Sequence, residues 1–327
     1  MEPALTLYKP VHQALVIDNQ QSSGSAFISA NTVEVPFTDL KTKHIIPVFV
    51  KDNEPCISQV DYIESVYEAI SDVYHGETIL KPSIRLSHAI KGRIPDARNK
   101  PASELREWEK TIYYERMMFA FEIPSITETI DGNKLSLTVG GVKAYNQDNL
   151  YNKKGSDEHF KFFAGFQNKV CTNLCVWSDG YVGDLKVKSL ESLRYNVYNA
   201  LTSYNPVEHS RSMDRLSDYH LTEQQFANLL GRARMYNYLP QEQKDVIPKM
   251  LYGDQQLGSV CKDFYKDDSF SRDNDGNINL WKLYNLFTGA NKSTYIDSFL
   301  DRSVNAFQFT DQLRKSLDDG RSNWFLS

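Results

Sequence analysis

At 327 residues, 41% of them hydrophobic and 24% charged, with a formal net charge of -5, the chain has the composition of an ordinary globular protein and no global positive excess that would mark a general nucleic-acid or membrane binder. The length allows one large domain or two smaller ones, with a sizeable core either way. The longest apolar run is about Ile45 to Val50, and Met1 to Ala4 is not a basic lead into an apolar stretch, so neither export nor a membrane span is expected. Four cysteines, Cys56, Cys171, Cys175 and Cys261, are too scattered for a disulfide framework, which points to a reducing cytoplasm.

Residues 1–25 end in the polar run Asn19 to Ser25 and read as a flexible arm. Apolar alternation begins near Val33 to Val35, and Ile45 to Val50 reads as a buried strand bent by Pro47. Ser58 with Asp61 makes a near capping box for a helix carrying Val60, Ile63, Val66, Tyr67, Ile70 and Val73 and closed by Gly76. From Lys81 to Lys100 six basic residues face a single acid, Asp96, in looped or extended backbone; a short acidic helix over Ser103 to Lys110 follows.

Met117, Phe119, Phe121 and Ile123 alternate with Arg116, Met118, Ala120 and Glu122; Asp131-Gly132-Asn133 turns the chain; Leu135, Leu137 and Val139 alternate with Ser136 and Thr138. That is a β-hairpin. A bulge at Gly140-Gly141 would let Val142 continue the apolar set while Lys143 and Tyr145 face the other way. A third strand puts Phe160, Phe162, Ala164, Phe166 and Val170 on the core face, opposite Lys161, Phe163 and Lys169. Ser178-Asp179-Gly180 then turns into a last strand with Leu185 and Val187 inward, Lys186 and Lys188 outward. Ser189 caps a helix with Leu190, Leu193, Val197 and Leu201. Beyond Asn205 the pattern is helical, with a Thr222–Gln225 capping box and a long terminal helix from Ile296 through Phe299, Leu300, Val304 and Phe307 to a stop at Gly320. The expected fold is α+β: a central antiparallel sheet over residues 26–204 with helices on one face, then a helical region over 205–327. The pattern leaves open whether the two parts pack as one body.

For chemistry, Cys171 and Cys175 lack the spacing and partners of a redox or zinc motif and read as structural thiols. Arg272 to Ile278 resembles the middle of a calcium loop, yet Ser271 and Lys282 stand where its terminal ligands should be, so it reads as a polar turn. Phosphate loops and nucleophile motifs are absent, and no cofactor is expected. The acids Asp148, Asp157, Glu158, Asp179 and Asp184 are the only candidates for a metal-dependent nuclease. Charge is segregated instead. Residues 134–188 hold eight lysines against five acids, whereas residues 1–80 hold four basic and eleven acidic residues. With the strand phases above, Lys143, Tyr145, Lys161, Phe163, Lys169, Lys186 and Lys188 share one sheet face, with Lys91 and Arg93 added from the basic segment. Cations beside outward rings suit single-stranded DNA, whose phosphates meet the charges and whose bases stack on the rings.

Lys43 to Glu54, Gly141 to Leu150, Val170 to Asn173 and Leu280 to Thr294 together resemble domain-of-unknown-function family 3871, and the likeness covers nearly the whole chain after the arm. Gly165 to Lys188 is similar, more weakly, to the broader phage/plasmid-like family. The first resemblance implies a protein of Bacteroidetes and their mobile elements; neither supplies a catalytic residue. The leading expectation is therefore a non-enzymatic mobile-element protein that binds or anneals single-stranded DNA. The alternatives are an interaction protein, such as an inhibitor of a host defence system, and the metal-dependent nuclease. The oligomeric state is open, and phenylalanine 163 is the discriminating residue: if it is buried, the interaction reading leads.

Overall fold

The computed structural model describes residues 26–43, 57–87, 90–93, 101–113, 115–145 and 157–327. The expected arm and the strand at Ile45 to Val50 lie outside them. The strands are β1 (Thr32–Glu34), β2 (Ser83–Ser87), β3 (Ile90–Arg93), β4 (Lys110–Tyr113), β5 (Arg116–Ile130), β6 (Asn133–Ala144), β7 (Glu158–Asn168), β8 (Leu174–Val187) and the two-residue pair β9 (His220–Leu221) and β10 (Ile278–Asn279). Six form an antiparallel sheet in the order β1-β2-β5-β6-β7-β8, while β3 and β4 pair apart from it. The β5–β6 hairpin turns at Asp131 and Gly132, both with positive φ (47° and 75°), the backbone that a two-residue turn matching strand twist requires. The acidic segment expected to be a helix after Ser103 forms two short 3-10 turns, Ala102–Glu104 and Glu107–Glu109.

The helices are α1 (Phe37–Lys43), α2 (Gln59–Val73), α3 (Leu190–Ser203), α4 (Pro206–Asp214), α5 (Glu223–Tyr236), α6 (Gln241–Lys244), α7 (Asp254–Lys266), α8 (Leu280–Asn291) and α9 (Ile296–Asp318). Ser58 and Thr222 close the expected capping boxes of α2 and α5, and Ser189 caps α3. α2 and α3 pack on the expected face, where the Tyr62 ring meets Phe119 and Phe160 edge-on at 5.2 and 4.8 Å.

The α+β class is as expected, but the second face is not open. Met118, Ala120, Val142, Phe163, Leu174 and Val176 are buried there under Ile296, Phe299, Leu300 and Val304 of α9, together with Phe27 and Ile28. Farther along, α9 places Phe307, Phe309 and Leu313 in the larger core with α8 and the first face. At about 1.5 Å per residue its 23 residues span roughly 34 Å, enough to pass from one core to the other alongside the edge strand β8. Residues 205–327 thus share both cores with the sheet.

Lys292, just after α8, ties three segments together. Its carbonyl accepts Ser29 N and Ala30 N at 2.9 and 3.2 Å, and its ammonium donates to the Cys171 carbonyl and the Thr172 hydroxyl in the β7–β8 turn.

Two expected features of the sheet are corrected. No bulge occurs at Gly140-Gly141, since the β5–β6 register runs unbroken from Arg116↔Ala144 to Ile123↔Leu137. The glycine at 141 instead makes room: a Cβ there would lie 2.1 Å from the Tyr62 hydroxyl, which donates to the Lys161 carbonyl at 2.8 Å. The second correction concerns the β7–β8 turn, which falls at residues 169–173, with Thr172 at φ 58°, so Val170 is exposed rather than in the core. Ser178-Asp179-Gly180 serves a bulge inside β8, where residues 177–180 together oppose Ala164 alone.

Candidate functional site

The residues expected to form a basic, aromatic face are dispersed. Because β6 keeps its phase through the two glycines, Lys143 points to the same side as Leu137 and Val139. It is fully buried, paired with Glu158 at 2.7 Å and standing 4.0 Å from the Phe160 ring centre and 5.5 Å from that of Tyr145, itself buried. Phe163 is on the intended face but fully buried beneath α9, so no base can stack on it. Lys161 beside it is consumed by the same helix: its ammonium donates to the Asp297 carbonyl at 2.6 Å and to Asp301 at 2.7 Å. Tyr181 donates to the other Asp301 oxygen at 2.7 Å, and Arg116 pairs with Asp297 at 2.5 Å. Spaced by four, these two aspartates form one ridge of α9 that matches the cations of β5 and β7.

Lys169 pairs with Glu122, and burial lowers its pKa. Lys186 and Lys188 stay at the surface beside Asp184 (3.1 Å) and Asp157 (3.7 Å). Lys91 and Arg93 belong to β3, in the separate two-stranded sheet. Of the acids considered for a metal, Asp157, Glu158 and Asp184 are likewise drawn into pairs, with Asp184 also 2.6 Å from His159 Nδ1, while Asp179 is exposed on the β8 bulge; Asp148 lies outside the described residues. In the calcium-like turn, Lys282 sits on Asp273 at 2.6 Å. No group of three or more potential metal ligands occurs among the described residues. Cys171 and Cys175 are free thiols whose pKa values burial raises.

A different constellation forms at the β8 bulge. The bulge turns the Trp177 indole toward the His209 ring of α4 (centroids 5.6 Å apart) and the Phe307 ring of α9 (6.3 Å). Trp177 and Phe307 line a cleft of about 350 Å³ whose other walls include Lys249, Gln308, Asp311 and Lys315. Asn305 holds the wall opposite the bulge, accepting Leu251 N at 2.9 Å and donating to the Lys249 carbonyl at 2.8 Å. Behind the two rings His209 is fully buried, and burial pushes its pKa down to about 3, so the imidazole is neutral. Its Nδ1 lies 2.7 Å from the Tyr204 hydroxyl, and its Nε2 has no hydrogen-bond partner among the described residues. Sequence reasoning passed over both Trp177 and His209. A signal existed for the latter, since His209, Met213 and Leu216 continue one helical stripe, which places the imidazole in the core.

These features define an α+β protein whose antiparallel sheet is closed on both faces, with an aromatic cleft at its edge strand. The chain belongs to the family described as "Domain of unknown function, B. Theta Gene description (DUF3871)", which matches residues 11–326. No curated protein and no solved structure matches it. Among the described residues no helix is long and apolar enough to cross a membrane.

Proposed function

We propose that this chain is a non-enzymatic binding protein that acts by docking a protein partner, and that the corner between α5 and α6 makes the contact. One observation carries the reading: Tyr238 and Val246 are 82% and 83% exposed and Met235 is 56% exposed, all within a single helical corner. Lys244 folds that corner back on itself by donating to the Asn237 carbonyl at 3.2 Å. Exposed apolar groups with a Tyr among them and cations at the rim have the composition of a protein interface. The mobile-element setting implied by the family resemblance makes a component of a host defence system the partner we favour.

The test places photoreactive benzoylphenylalanine at position 238 in cells producing the protein. The reading expects a discrete cross-linked protein, lost in a Val246→Ser background that leaves the melting temperature unchanged. Absence of any discrete adduct would sink it. A second reading, single-stranded DNA binding, retains Lys186 and Lys188, which are 52% and 75% exposed. It requires that the unmodified protein bind an oligonucleotide at low salt, with an affinity that falls as salt rises.

A further inference from the structure

The cleft beside the β8 bulge has a chemistry of its own, independent of the α5–α6 corner. Its floor is aromatic, from Trp177 and Phe307, and its rim carries two cations, Lys249 and Lys315, against one acid, Asp311. That acid is already satisfied, because Arg314 Nε reaches one of its oxygens at 2.9 Å and Lys315 the other at 2.8 Å. Lys249 makes no ion pair with the described residues, although its own backbone is fixed by Asn305. The cleft therefore carries an unbalanced positive charge beside a flat apolar surface. Gln308 and Gln312 add amide donors and acceptors on the α9 wall. A volume of about 350 Å³ suits a ligand of one or two rings and excludes a folded domain.

The bulge gives a reason for this arrangement. Four residues spent opposite one in an edge strand interrupt the ladder, and the result is to re-aim Trp177. We infer that the cleft binds a small planar aromatic molecule bearing an anionic group, with the ring against Trp177 and the anion at Lys249. A nucleoside monophosphate and an aromatic carboxylate share that chemistry.

Calorimetric titration of the full chain with adenosine 5′-monophosphate and, separately, with 1-naphthoate distinguishes the two sources. Adenosine supplies the ring without the anion, and inorganic phosphate the anion without the ring. The inference expects at least one of the two ring-bearing anions to bind. For a nucleotide, adenosine and phosphate alone should each be at least ~tenfold weaker, and for either anion Lys249→Gln should weaken binding by ~tenfold, the loss of one charge-assisted contact. Lys249 is exposed, so this variant tests the contact without disturbing the core. Gln308→Ala, also at an exposed position, should weaken binding by a smaller factor, and Trp177→Phe should reduce the quenching of indole fluorescence that accompanies it. No heat with either anion at millimolar concentration, or binding that Lys249→Gln and Gln308→Ala leave unchanged, would overturn the inference.

Discussion

His209 sets an acid limit on the fold. Its folded-state pKa, pushed down to about 3 by burial, lies below the ordinary value of 6.5, so the unfolded chain takes up the proton first. The stability it contributes is complete above about pH 6.5 and is lost as pH falls from there toward the folded value. At about pH 4.5 the loss should reach roughly 2 to 3 kcal/mol, and His209→Gln should flatten that part of the profile in urea unfolding followed against pH. Gly141 is a constraint of the opposite kind. Its missing side chain admits the Tyr62 hydroxyl, and any Cβ would also come within 2.6 Å of the Lys161 carbonyl. Gly141→Ala should therefore cost on the order of 1 to 3 kcal/mol by overpacking, read as a lower urea midpoint with an unchanged slope.

The elements that periodicity defines strongly were legible: the β5–β6 hairpin, and α2, α5 and α9 with their caps. The side that a neighbour would cover was not, because alternation distinguishes two faces of a strand without saying what lies over either. A hint was present. Met117 to Phe121 is an unbroken apolar run, the mark of a strand buried on both faces, and it outweighs the lysines read as a surface. The Ser178-Asp179-Gly180 turn chemistry was real but was spent on a bulge, while the chain reversed at Thr172, a β-branched residue that turn rules disfavour. Lys186 near the end of β8 and Lys188 just past it also suit a structural role. β8 ends the sheet, and Asp184, Lys186 and Lys188 put alternate charges along the part of its edge beyond Tyr181. Such charges stop one sheet from pairing with another. Replacing both lysines, Lys186→Val with Lys188→Val, should raise self-association visibly in light scattering on warming, with little change in the fold's circular dichroism.

At the scale of the molecule, α9 is a helix that, like strands β5 to β8, contributes to both cores, so neither core can open without disturbing it. Leu300→Ala, in the smaller core, should cost about 2 to 5 kcal/mol and lower the whole transition rather than split it, with fluorescence and circular dichroism melting together. The anchorage of Ser29 and Ala30 on Lys292 also acts as a clock. The serine and the lysine are 263 residues apart, and at roughly 5 to 20 residues per second a ribosome needs on the order of ten to fifty seconds to travel between them. Throughout that interval Phe27 and Ile28 have been made but the α9 side of their seat has not, and Met118, Val142 and Phe163 emerge with no helix to cover them. The nascent chain thus carries a sticky sheet face late into translation. Ribosome-stalled chains ending before Ile296 should bind a hydrophobic dye and a trigger-type chaperone, and the 327-residue chain once released from the ribosome should bind neither.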